Sequence, residues 1–397
     1  MMNRISSFHN YQTVQNDMRR QENKIHENHA QLASGKQLQK PADSPLATHY
    51  LQKLKQQTQQ LDQYDSAITL SRNRLEHQEV MLGETEQFAD NAKRLTMQAI
   101  NGALSPEDRE AKAREIEELA KNFLALANTR DESGNYSFAG TKPKTQPFFV
   151  DGQGHISYAG DDYQRKMRIA ASLEVATSDP GSKLFMEIDN PLGDYKANYQ
   201  LQKGSELLLE KATNSNANDN STYKVTFVDM GNQQFGYQLE QNNTVVAAGN
   251  FDPSQGIQFQ GLNIQTKGQI TPGDAIEIEP QKTFSVFDTF NDAVYWMDND
   301  VADASSSAQL HQVTEQFHAA FLHLTSSRTD VGVRLNSLDT QQSQHEDFKI
   351  SIARSKSNFE DLDYSKAVID FEENSRALQA AQLAFGKTKD LTLFNYL

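Results

Sequence analysis

Residues 54–82 read LKQQTQQLDQYDSAITLSRNRLEHQEVML, and a leucine or isoleucine recurs in them at every seventh position. This row consists of Leu54, Leu61, Ile68, Leu75 and Leu82. The repeat predicts a helix from about residue 44 to residue 101, far longer than the average of about 11–12 residues. Three positions after each apolar residue stands an uncharged one, so the seam is thin and needs partner helices to cover it.

A second helix follows after a short break. Ser105-Pro106-Glu107-Asp108 is typical of a helix start, with serine as the N-cap, proline in the first turn and acids near the positive end of the helix dipole. Its apolar stripe extends to about residue 129, and the short loop predicts that the two helices are antiparallel neighbours. Helical patterning returns at about Phe287 and continues, with breaks, to the end of the chain.

Between these helical segments the pattern changes to short runs of β-forming residues. Glycine and proline punctuate residues 131–180, as in hairpins, and the strand signal is clearest from about residue 181 to residue 280. Turn sequences such as QNN at 241–243 and TPGD at 271–274 separate these runs. We therefore predict a compact antiparallel β domain inserted between two helical segments.

The two ends of the chain carry matching heptads. One row at seven-residue spacing runs from Tyr11 to Leu32, and another runs from Phe371 to Phe385. Each terminal helix has a single thin apolar seam, so alone it loses more conformational entropy than burial returns. We expect both helices to become stable by packing in an assembly of copies. The candidate interface residues are Ile5, Tyr11, Met18, Ile25, Leu32, Val368, Phe371, Leu378, Phe385, Leu391 and Phe394.

Composition limits the possible partners and compartments. The 397 residues carry a net charge of −15 without a basic stripe, so we expect no nucleic-acid partner. The chain has no cysteine, which excludes disulfides and thiol chemistry. No run approaches 18 apolar residues and the N-terminus lacks the apolar core of a Sec signal peptide, so we expect no membrane span and no cleaved signal.

No sequence motif points to catalysis or to a cofactor. Phosphate-binding glycine motifs and the G-x-S-x-G nucleophile elbow are absent. His26 and His29 can share a helix face, but they lack the spacing of the H-E-x-x-H zinc motif. We therefore expect no enzyme activity, no metal and no cofactor. An enzyme or ligand-binding module within the β insert stays open as an alternative.

Several short segments resemble the bacterial flagellin superfamily. Two of them are LASGKQLQKPADSP at 32–45 and RLTMQAING at 94–102. Three further details, GNYSFAGT at 134–141, SVFD at 285–288 and the closing LFNYL at 393–397, are more similar to the hook-associated proteins of this superfamily than to flagellin. The resemblance covers about residues 1–175 and 285–397, and the β insert matches only loosely.

The resemblance implies a mainly α fold with an inserted β domain. In it, a long antiparallel helical rod is formed by the N- and C-terminal segments, and an antiparallel β-rich domain lies outside. The implied division has three parts: terminal helices of an inner tube at 1–34 with 362–397, a helical rod with a β-hairpin at 35–180 with 285–361, and a β-rich outer domain at 181–284.

The resemblance further implies a structural part of the bacterial flagellum that forms the layer between hook and filament. It implies secretion, unfolded, through the flagellar type III channel. The implied partners are neighbouring copies of the chain, the other hook-associated junction protein, flagellin, and an export chaperone on the C-terminal helix. A flagellin that forms the filament itself stays open as an alternative.

Overall fold

The computed structural model describes residues 2–100, 104–152, 154–216, 219–231, 234–298 and 303–390. Its helices are α1 (Met2–Ser34), α2 (Pro45–Ala99), α3 (Pro106–Ala127), α4 (Val286–Asp298), α5 (Ala304–Glu360) and α6 (Tyr364–Asp390). The chain divides into two compact units, Met1–Ser66 with Gln341–Leu397 and Ala67–Thr340, whose boundaries fall inside α2 and α5. The predicted three-part division stays a prediction.

The strands all lie between α3 and α4. They are β1 (Phe148–Val150), β2 (Ile156–Tyr158), β3 (Lys166–Ala170), β4 (Leu173–Ala176), β5 (Ile188–Asp189), β6 (Tyr195–Gln200), β7 (Leu208–Asn214), β8 (Tyr223–Asp229), β9 (Phe235–Gln241), β10 (Thr244–Asn250), β11 (Ile257–Phe259), β12 (Leu262–Lys267), β13 (Ala275–Pro280) and β14 (Thr283–Phe284). Every pairing between these strands is antiparallel. The predicted fold class, mainly helical with an antiparallel β insert, is therefore confirmed.

The heptad row of α2 is buried where the helix lies in the second unit. Ile68, Leu75 and Leu82 expose none of their surface, and they belong to one core cluster with apolar residues of α5. The uncharged positions three residues after the heptad residues are covered too, since Ser71 and Thr85 are fully buried. Each of these hydroxyls donates a hydrogen bond to a backbone carbonyl of its own helix, which satisfies it without a partner across the seam.

Helix α3 begins at the predicted cap. The Ser105 hydroxyl accepts a hydrogen bond from the Asp108 amide at 3.1 Å, and Pro106 stands in the first turn. Its apolar face joins an aromatic core in which Phe123 lies 5.5 Å from Phe290 and 5.3 Å from Phe185, measured between ring centroids. These rings belong to three separate elements, so the core fixes α3 and α4 against the short π-helix at Ser182–Met186.

The β insert has its own core. A five-stranded sheet in the order β10-β9-β8-β13-β6 and a three-stranded sheet in the order β11-β12-β7 contribute its buried side chains. In β8 the side chains alternate, so that Tyr223, Val225 and Phe227 are buried and the residues between them are half-buried. This period-2 pattern is the one that a strand with one covered face requires.

Both predicted turns of the insert form. Asn242 and Asn243 have positive φ angles of 49° and 66°, as a tight hairpin turn between β9 and β10 requires. In TPGD the Asp274 amide donates to the Thr271 carbonyl at 3.0 Å, with Gly273 at a φ of 93°. Proline followed by a positive-φ glycine is the signature of a type II turn.

Candidate assembly interface: the terminal helices and their linkers

The first unit contains the two terminal helices, and α1 packs against α6. The predicted seam residues Met18, Ile25 and Leu32 of α1 are half-buried. On α6, Phe371 and Leu378 are half-buried as well, as is Phe385. The structure thus brings both predicted rows into one helix pair and leaves both rows incompletely covered.

The remaining predicted interface residues fall into two groups. Val368 lies on α6 with 49% of its surface exposed. For Ile5 and Tyr11 the description covers only the backbone, which is helical in α1, and Leu391 and Phe394 lie outside the described residues. Their role in an interface stays a prediction.

Two exposed large aliphatic residues of α6 are absent from the predicted set. Ile369 exposes 57% of its surface and Leu383 exposes 70%. They are two heptads apart, so they lie on nearly the same face of the helix, and Val368 adjoins that face. The sequence signal for these two residues is a second heptad row, offset from the row that contains Phe371. Arg376 occupies the middle position of this second row, where it ion-pairs with Glu372 at 3.6 Å.

The linkers that follow α1 and precede α6 pair with each other. The Gln37 amide donates to the Glu360 carbonyl at 2.8 Å, and the Leu362 amide donates to the Gly35 carbonyl at 3.0 Å. Lys36 and Asp361 face each other as antiparallel bridge partners. The motif at 32–45 therefore supplies one half of a short two-stranded contact.

Local residues of the motif shape its own turn. The Asp43 carboxylate accepts hydrogen bonds from the backbone amides of Gln39 and Lys40, at 3.0 and 2.7 Å. Gly35 has a φ of 69°, which glycine adopts without a steric penalty. A methyl group on Gly35 would come within 2.9 Å of the Tyr364 hydroxyl at the start of α6.

Helices α2 and α5 meet in this unit through a polar cluster. Asp65 accepts from His345 at 2.7 Å and from Lys349 at 2.6 Å, and Lys349 also reaches Asp62 at 2.6 Å. Burial raises the pKa of Asp65, but the hydrogen bonds from Lys349 and His345 outweigh it and lower that pKa overall. His345 is only 2% exposed, so this cluster is enclosed on the histidine side.

The described residues offer little for a metal or a membrane. Among them, no three histidine, aspartate or glutamate side chains are placed to hold a metal ion. None of the described helices combines the length and apolar character that a bilayer crossing requires. The first unit instead exposes apolar surface on its paired terminal helices.

Long paired terminal helices, a helical core and an antiparallel insert are the architecture that the resemblance in the sequence implied. Residues 5–143 match the family described as the bacterial flagellin N-terminal helical region. Over this N-terminal region the chain is similar to the bacterial flagellin superfamily, and it is also similar to proteins named hook-associated protein 3. The motifs at 32–45 and 94–102 lie inside the matched region, so the resemblance predicted from them is confirmed.

Individual relatives and solved structures show the same resemblance. Flagellar hook-associated protein 3 of Escherichia coli (strain K12) is 34% identical over 158 residues, which are 40% of this chain and 49% of that protein. The chain thus matches about half the length of its curated relatives. The flagellar junction protein FlgL from Legionella pneumophila has a TM-score of 0.66 at 25% identity, covering 78% of this chain and 99% of that one.

A second solved structure gives the same result. FlgL from Xanthomonas campestris has a TM-score of 0.63 at 25% identity, covering 75% of this chain and 97% of that one. Coverage above nine tenths of both solved chains means that nearly their whole fold has a counterpart here.

Proposed function

We propose that this protein is a structural component of the flagellum and forms the layer between hook and filament. The observation that carries the proposal is the paired terminal helices, whose seam is half-buried and whose outer face exposes Ile369 and Leu383. Copies stacked around a tube would cover this surface, and burying a leucine or phenylalanine contributes about 1.5–3 kcal/mol. The names of the relatives, hook-associated protein 3 and flagellar junction protein, support the same position.

The partners in this proposal are those implied by the resemblance. Neighbouring copies contact each other through α1 and α6, with the other hook-associated junction protein on one side and flagellin on the other. Before assembly, an export chaperone covers the C-terminal helix, and the chain leaves the cell unfolded through the type III channel. The apolar surface of α6 supports the need for such a cover. The role is structural rather than catalytic, and no metal or cofactor is part of it.

Immunogold labelling of isolated flagella tests the proposed position. We expect label at the boundary between hook and filament, and none on flagella from a strain that lacks the gene. Label along the whole filament would contradict the proposal and favour a flagellin.

Excision of the β insert tests whether it houses a separate activity. The insert is closed at its base by β5 and β14, where Ile188 pairs with Phe284. Replacing residues 191–281 by a short Gly-Ser linker retains this pair. If the insert only covers the outside of the assembly, the variant still reaches the junction and the cells still swim. Loss of motility with normal incorporation would instead indicate a separate function of the insert.

A further inference from the structure

Two linkers join the terminal helices to α2 and α5, and each linker could adopt its backbone conformation independently of the other. In the first unit they do not, because Gly35–Gln37 lies antiparallel to Glu360–Leu362. Two main-chain hydrogen bonds, at 2.8 and 3.0 Å, connect segments that are more than three hundred residues apart in the chain. We call this contact the linker bridge.

Side chains reinforce the linker bridge from both strands. The Lys36 ammonium ion-pairs with Glu360, and this hydrogen bond lowers the pKa of the Glu360 carboxyl. Lys356, one turn earlier on α5, reaches the other oxygen of Glu360 at 3.4 Å. The Gln31 side chain donates to the Gln37 carbonyl at 2.9 Å, which ties the last turn of α1 to the bridge.

Backbone geometry restricts the bridge to this arrangement. The positive φ of Gly35 turns the chain out of α1, and the absent side chain leaves room for the Tyr364 hydroxyl. The Ser357 hydroxyl donates to Asp361, so the second strand is held at the end of α5. Both linkers are thus fixed by the helices that they connect.

We propose that the linker bridge stays closed within each chain when the protein assembles, so that both linkers form one joint. This inference rests on the proposed function, because it concerns the joint behind the assembling helices. A closed bridge makes the terminal pair of each copy enter the assembly with its linkers already paired. The alternatives are that the bridge opens on assembly or that linkers pair between neighbouring copies.

A disulfide across the bridge distinguishes these cases. The chain has no cysteine, so Lys36→Cys with Asp361→Cys introduces the two thiols alone. Facing residues in antiparallel pairs have Cα atoms about 4.5–5.5 Å apart, within the range that disulfides need. The thiols stay reduced in the cytosol and during export. Isolated flagella and purified monomer are then oxidised and compared on non-reducing gels.

We expect an internal crosslink in both samples, seen as faster migration because the crosslink closes most of the chain into one loop. Assembled protein that stays reduced while the monomer crosslinks would overturn the inference, since the bridge would then open on assembly. A ladder of crosslinked copies would also overturn it, because the pairing would then be between chains. Failure of the monomer to crosslink would contradict the paired linkers themselves.

The matched control is Lys36→Cys with Lys387→Cys. Lys387 lies 23 residues after the start of α6, about 35 Å along the helix, so it cannot reach residue 36 of the same chain. Immunogold labelling of the unsubstituted protein and of both double variants separates the two proposals. Absence of the unsubstituted protein from the junction contradicts the proposed function, whereas normal labelling with a wrong crosslink pattern contradicts only the closed bridge.

Discussion

In the β insert and the aromatic core of the second unit, large side chains such as Phe123, Phe185 and Phe227 expose none of their surface. In the first unit, none of the described side chains of α1 is fully buried, and in α6 only Ala367 is. The second unit can therefore be stable through its own core. The terminal pair leaves apolar surface exposed on its described residues, so the binding of other copies or of other proteins would add to its stability.

The largest expected effect follows from charging the incompletely covered seam. Phe371→Asp or Leu378→Asp places a carboxylate where copies would pack, and a buried, unpaired charge is strongly unfavourable. We expect loss of incorporation into flagella, measured by immunogold labelling and motility. The second unit should still unfold at the temperature of the unsubstituted protein. Its unfolding can be followed through Trp296, the single tryptophan, which packs against the core of this unit.

The matched control places the same charge on an exposed apolar residue of the insert. Val245, on the edge strand β10, is 53% exposed, and Val245→Asp should leave incorporation unchanged. Normal swimming of the Phe371→Asp strain would contradict an assembly role for this seam.

The next largest effect is on the stability of the second unit, and here the substitution in the terminal helices serves as the control. Phe185→Ala removes a fully buried ring that contacts Phe123, Phe138 and Phe148, so we expect the second unit to lose about 3–5 kcal/mol of unfolding free energy. Urea unfolding followed by Trp296 fluorescence measures it. Leu378→Ala, in the half-buried seam, should leave this transition unchanged. Equal losses for both variants would mean that the two units are not independently stable.

A smaller effect is expected at the linker bridge. Gly35→Ala places a side chain in the left-handed region and against the Tyr364 hydroxyl, at a cost of about 1–2 kcal/mol for the backbone alone. The loss of helical circular dichroism on heating should begin earlier, while the Trp296 transition stays in place. Tyr364→Ala in the same chain should restore part of the difference, because it removes the steric contact but not the backbone strain. No recovery would show that the contact contributes nothing.

The sequence predicts elements that depend on residues close together in the chain. It does not predict contacts that depend on the packing of distant segments. Heptads give α2, the Ser105 cap gives the start of α3, and the Asn242–Asn243 pair gives a hairpin. Strand order is different, since β13 pairs with both β6 and β8 although some fifty residues separate it from β8. Only the packing of the whole insert selects such a neighbour.

The polar contacts between helices escaped prediction for the same reason. Asp179 accepts hydrogen bonds from Gln78 of α2, from Gln164, and from both terminal nitrogens of Arg334 of α5. Nothing near Asp179 in sequence indicates these partners. The exposed Ile369 and Leu383 were not predicted for another reason. A search for one apolar row in each helix does not find a second row that Arg376 interrupts.

The smallest effect concerns acid, and it tests whether polar contacts help to hold the first unit. The pKa of Asp65 is lowered in the folded chain by Lys349 and His345. The folded chain therefore favours the ionised carboxylate of Asp65 more than the unfolded chain does. Its contribution is present above the ordinary carboxyl pKa and is lost as pH falls through the lowered one. Asp65 is partly exposed, so we expect its contribution to the unfolding free energy to be less than about 1 kcal/mol.

Helical circular dichroism during thermal unfolding, compared at about pH 6 and about pH 3, measures the loss. Asp65→Asn should reduce the difference between the two pH values, whereas Asp17→Asn, an exposed carboxylate of α1, should leave it unchanged. An equal pH dependence in all three proteins would mean that the contacts of Asp65 contribute nothing to the stability of the first unit.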